Sequence, residues 1–94
     1  MKLKAFGIFD TKANLYNTPF FMNTRGEALR AFKDLANNRE TTIGRHPEDY
    51  RLDVIGEFDN ETGAFEESQD HLGFGIDYVD LPAGAVPIGV SHGK

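Results

Sequence analysis

Cysteine is absent from the chain. Disulfide frameworks, cysteine-ligated zinc, iron–sulfur clusters and thiol catalysis are excluded with it. Tryptophan is absent too. No stretch approaches the ~20 apolar residues that a membrane-crossing helix requires. The opening segment Met1–Asp10 has an apolar run too short for a signal peptide and no small-residue cleavage site behind it. The sequence therefore predicts a protein made and used inside a cell, with no membrane partner. Histidine is scarce: His46, His71 and His92 form neither a His-x-His pair nor an i, i+4 pair. Metal-dependent strand nicking needs a close histidine pair, and none is here. No metal, cofactor or catalytic residue is expected, and the chain reads as a non-enzyme.

What is present suits one small domain. The 94 residues are 39% hydrophobic and 27% charged, enough for a single core but not for two. Charge is unevenly placed. Residues 1–51 hold nine bases (Lys2, Lys4, Lys12, Arg25, Arg30, Lys33, Arg39, Arg45, Arg51) and six acids. Residues 52–94 hold nine acids and one base, Lys94. A basic front face can meet phosphate if the acidic rear points away, whereas the protein as a whole repels nucleic acid.

The pattern predicts an α+β fold in the order β-β-α-β-β: a small antiparallel sheet packed by one amphipathic helix. Residues 2–9 read as a strand, with Leu3, Ala5 and Phe9 on one face and Lys4, Phe6 and Ile8 on the other. Pro19 admits a strand start, and Phe20-Phe21-Met22 reads as the second strand. Thr24-x-x-Glu27 is a capping box opening a helix from Arg25 to about Asn37. Its stripe is Ala28, Leu29, Phe32, Leu35 and Ala36. Residues 38–49 read as a polar loop. Residues 50–58 alternate: Tyr50, Leu52, Val54, Gly56 and Phe58 face one way, and Arg51, Asp53, Ile55 and Glu57 the other. Asp59–Gly63 is a hairpin turn with Gly63 in the left-handed position. Residues 64–67 return as a strand anchored by Phe65. A core domain over 1–67 is followed by a C-terminal extension over 68–94. That extension has room for one short strand among Phe74–Leu81 and then a Gly/Pro-rich tail.

Two candidate sites follow. The nine front bases are candidate phosphate contacts, with Tyr16, Phe21 and Tyr50 as bases' stacking partners; Phe6 is a further aromatic to test for exposure. His46-Pro47-Glu48-Asp49-Tyr50 is the most distinctive run. His46, Glu48 and Asp49 are candidate loop contacts. The competing reading is a proline-led turn whose carboxylates receive backbone amides.

Several runs taken in order resemble a known family. They are Met1-Lys2-x-Lys4 leading to Asp10, Pro19-Phe20-Phe21-Met22, Thr24-x-Gly26-Glu27-Ala28-x-Arg30-Ala31-Phe32, His46-Pro47-Glu48-Asp49-Tyr50, and Ile55-Gly56-Glu57-Phe58-Asp59 before Thr62-Gly63. Over residues 1–65 the chain resembles the small non-structural protein of gokushovirus-type microviruses, tailless phages with circular single-stranded DNA. The resemblance implies a phage accessory protein in the cytoplasm of the infected bacterium. It would act in viral DNA replication or in the switch to single-stranded DNA synthesis and packaging. It brings no catalytic residues. Two partner classes follow: single-stranded DNA itself, or replication proteins bound through a sheet edge or the acidic rear. A homodimer or higher homo-oligomer is expected for so small a core with open sheet edges.

Overall fold

The computed structural model describes residues 1–80. The Gly/Pro-rich tail from Leu81 onward, with His92, lies outside the described residues. The elements are β1 (Lys2–Asp10), β2 (Leu15–Tyr16), β3 (Phe20–Met22), α1 (Arg25–Ala36), α2 (Thr42–Arg45), a 3-10 turn (Pro47–Asp49), β4 (Tyr50–Asp59), β5 (Phe65–Phe74) and a second 3-10 turn (Gly75–Tyr78). The fold is α+β. All five strands join one antiparallel sheet in the order β2–β1–β4–β5, with β3 also on the outer edge of β1. Pro19 separates β2 from β3, since it cannot donate to a ladder. Among the described residues, no helix is long and apolar enough to cross a membrane.

Helix α1 starts as its sequence dictates. The Thr24 hydroxyl accepts from the Glu27 amide, and the Glu27 carboxylate accepts from the amides of Asn23 and Thr24. Ala28, Phe32 and Ala36 are buried against Phe6, Ile8, Leu52 and Val54 of the sheet. Phe20 stacks on Phe6 at 5.6 Å between ring centres.

Four expectations are corrected. Residues 38–49 are not a plain loop. The Thr41 hydroxyl caps α2 by accepting from the Gly44 amide, and Ile43 is buried in the core. The returning strand runs past residue 67 to Phe74, because β4 offers ten residues to pair with. The short strand expected among Phe74–Leu81 is instead the second 3-10 turn. Asp77 accepts from the Phe74 amide, Tyr78 donates to the Leu72 carbonyl at 2.6 Å, and Phe32 meets Tyr78 edge-on at 6.1 Å. Finally, the alternation in β4 breaks. Phe6 lies opposite Val54 while Ala5 lies opposite Gly56, so Ile55 is an extra residue on β4. Such a bulge reverses the phase of everything beyond it. Glu57 turns to the helix side, where it meets Lys4 at 3.8 Å. Gly56 and Phe58 turn to the opposite face, where Phe58 meets Phe21 at 5.6 Å between ring centres.

Candidate functional site

Among the described residues, helix covers one face of the sheet: α1 and the second 3-10 turn pack on the side of Phe6, Ile8 and Leu52. The other side is left open by those residues. It carries Leu3, Phe9, Tyr16, Phe21, Ile55, Phe58 and Phe65, as the cross-strand register and ring contacts show. Phe21 is 46% exposed, Phe65 49% and Tyr16 38%. Phe65 is thus not the buried anchor expected of it, because the Ile55 bulge turns its partner Phe58 to the open side. Two glycines keep this face flat. A side chain at Gly7 would sit 2.9 Å from the Tyr16 ring, and one at Gly56 would strike the Phe65 ring.

A buried charge lies at the centre of this open face. Asp53 is fully buried. Tyr16 donates its hydroxyl to Asp53 Oδ2 at 2.5 Å. Arg51 donates Nε to Oδ1 at 2.8 Å and Nη2 to Oδ2 at 3.0 Å. His71 Nδ1 lies 2.9 Å from Oδ1. Gln69 donates to the Tyr16 hydroxyl at 3.2 Å. Burial works to raise the Asp53 pKa, but the hydrogen bonds from Arg51, Tyr16 and His71 outweigh it and hold the carboxyl below its ordinary value. The hydrogen bond to Asp53 in turn raises the Arg51 pKa. The Arg51 guanidinium lies 4.9 Å over the Phe9 ring, and Phe9 meets Tyr16 at 4.8 Å. Asp53 thus locks three flat groups into a fixed surface.

The sequence-derived candidates are distributed differently from expectation. Tyr50 is buried, 8% exposed, and Phe6 is wholly buried, so neither reaches a ligand. Burial raises the Tyr50 pKa, with the Asp10 carboxylate adding to it. Tyr16 and Phe21 do share the open face. The nine bases do not gather. Lys4 pairs with Glu57, Arg25 with Asp70 at 2.6 Å, Lys33 with Asp80 at 3.4 Å, and Arg51 with Asp53. Arg45 donates to the Arg39 carbonyl at 3.2 Å. Lys2 begins β1 and Lys12 lies beyond its far end, about 30 Å away at strand rise. Arg30 is exposed on α1, on the sheet's covered side.

His46, Glu48 and Asp49 come together, with one potential ligand atom from each within 4.8 Å of the others. This is the one such group among the described residues. The run is a proline-led turn, but its bonds are to backbone carbonyls and not, as expected, from amides to its carboxylates: Asp49 donates its amide to the His46 carbonyl, and Thr11 donates its amide and hydroxyl to the Asp49 carbonyl.

Asp53, His71 and Gln69 were not indicated by motif. A signal for Asp53 existed: aspartate is disfavoured inside a strand, and here it sits between Leu52 and Val54. Nothing comparable marks His71 or Gln69.

Residues 3–78 match the model of one family, described as Phage ORF5 protein. No match was found among curated proteins or among solved structures.

Proposed function

Since the chain belongs to the Phage ORF5 protein family, we propose that it is a non-catalytic accessory factor of viral DNA replication, working in the infected bacterium as a docking module. In this reading the open aromatic sheet face is what partners bind. The carrying observation is that Phe21, Phe65 and Tyr16 stand half-exposed together on a face that no helix covers among the described residues. Contiguous exposed aromatic surface is characteristic of protein interaction sites, where rings are enriched and unpaired charge is sparse. The assignment to a single-stranded DNA phage, as the motifs suggest, is part of this proposal.

The test is a phage carrying Phe21→Ser and Phe65→Ser together. Both side chains are about half exposed, so the domain should still fold, as thermal unfolding will report. Loss of two exposed rings weakens docking by more than about tenfold, and viral DNA accumulation in infected cells should fall accordingly. Unchanged viral DNA synthesis would overturn the reading.

One observation favours direct binding of single-stranded DNA as a second reading. Phe9, Tyr16 and the Arg51 plane make a rigid stacking surface, and each stacked base is worth ~1–3 kcal/mol. Four of the nine front bases are already paired with carboxylates. Such binding would therefore rest on stacking, with a shallow salt dependence; each phosphate contact would add only ~0.7 to the log–log slope. Fluorescence anisotropy with labelled oligo-dT at low salt, with and without Tyr16→Ala, decides it.

A further inference from the structure

We infer that the occupant of the open face is a second copy of this chain, packed sheet to sheet about a twofold axis. The inference rests on reading that face as a docking surface and names its partner.

Shape comes first. The Tyr16 ring lies over Gly7 and the Phe65 ring over Gly56, so the rings lie flat rather than standing off the sheet. A low-relief sheet face suits another sheet, which packs about 10 Å away with strands nearly aligned. Each copy already has its helical layer on the opposite side. Two copies meeting this way give a helix–sheet–sheet–helix sandwich in which both aromatic faces are buried.

Area is the second argument. The sheet is four strands wide, with β2 and β3 sharing one edge, and β4 is ten residues long. At strand spacing and rise that is a face of about 19 by 33 Å, or about 600 Å² per copy. The total of about 1,200 Å² stands at the lower limit of specific, stable interfaces. The complex should therefore be a reversible dimer.

Charge is the third. The chain carries −5 overall, so two copies repel at a distance. On the open face, however, Arg51 and Asp53 neutralise each other. The acidic excess sits at the margins: Asp59 at the end of β4, Glu61 in the hairpin turn, Asp77 and Asp80 beyond β5, and on the edge strand β5 itself Glu66 on the helix side and Glu67 on the open side. Face-to-face contact buries the least repulsive surface and leaves these carboxylates in a solvated rim. A polyanion gains no such advantage.

Sedimentation velocity on the full chain, from about 2 µM to about 500 µM, spans the dissociation constants expected for an interface of this size. The mass should double across that range. Phe65→Asp should hold the protein at monomer mass throughout while leaving its thermal unfolding cooperative. Phe21→Ser, a milder change, should raise the dimer dissociation constant by about tenfold. Monomer mass at every concentration overturns the inference, and so does a dimer that survives Phe65→Asp. Amide-exchange protection of β1 and β4 that does not rise with concentration would also overturn it. A monomer whose viral DNA synthesis still depends on Phe21 and Phe65 would sink the second copy alone and leave the docking reading standing.

Discussion

Replacing Asp53 should reveal how the open face is held. The carboxylate is fully buried and accepts from Tyr16, from two nitrogens of Arg51, and from His71 in its Nδ1–H tautomer. Removing one partner of a buried ion pair costs about 3–5 kcal/mol, because the other charge stays behind unpaired. The Arg51 side chain is 20% exposed and that of His71 55%, so both regain some water. Asp53→Ala should therefore cost about 3 kcal/mol, at the lower end of that range. For a domain of this size that is a fall in Tm of about 12–24 °C. Asp53→Asn keeps the shape and removes the charge, which isolates the electrostatic part. Its signature is in pH. The folded-state pKa of Asp53 lies below the unfolded value, so its stabilisation is fully present above about pH 4. It is lost as pH falls through the folded pKa. Urea midpoints of wild type should drop faster than those of Asp53→Asn as pH falls below about 4. Asp59 also has a lowered pKa, chiefly from the Glu61 amide, and is common to both proteins, so it cancels in the difference. Parallel curves below pH 4, or a loss under about 1 kcal/mol for Asp53→Ala at neutral pH, would refute the reasoning.

Other changes test the frame around that face. Thr24→Ala removes the acceptor for the Glu27 amide and half of the capping box; it should cost about 1 kcal/mol, read by urea unfolding. Gly44→Ala drives a Cβ into the Asn38 carbonyl and to 2.9 Å from that of Leu35. Both are backbone atoms that cannot swing aside, so calorimetry should show a loss of about 1–3 kcal/mol. Phe32→Ala empties the centre of the helix–sheet contact and should cost about 3–5 kcal/mol, a fall in Tm of at least about 12 °C by calorimetry.

The elements of the fold were legible where local chemistry decides them. The Thr24–Glu27 box, the Ala28/Phe32/Ala36 stripe and the left-handed Gly63 each depend on neighbours within four residues, and each is where the sequence indicates. Legibility ended where a distant partner decides. Alternation along residues 50–58 is regular on paper, yet the Ile55 bulge arises from how β4 meets β1. The one local hint within β4 is Gly56, since an isolated glycine inside a strand often marks a bulge or a close approach. That single extra residue moves Phe58 to the open face, where Phe65 and Phe21 join it, and so creates the candidate site. Tyr50 shows the reverse case: next to a polar turn it reads as accessible, but the packing of the turn and α2 against the sheet closes over it.

The same distinction governs the charge. Along the chain, bases lead and acids follow, which suggests a bipolar molecule with a cationic surface to offer. The fold instead sets the two halves against each other. Arg25 in α1 meets Asp70 in β5, Lys4 in β1 meets Glu57 in β4, and Lys33 meets Asp80 beyond the second 3-10 turn. These pairs are half exposed and each contributes little to stability, at most about 1 kcal/mol. Their consequence is for recognition. A phosphate approaching Arg25 or Lys33 must compete with a carboxylate already within 4 Å. It would release fewer counterions than a free cation allows and would meet the neighbouring negative charge as well. Four of the nine acids of the rear, Asp53, Glu57, Asp70 and Asp80, therefore serve as counter-charge to basic side chains of the front. Among the described residues, the half-exposed rings of Tyr16, Phe21 and Phe65 have no such intramolecular competitor.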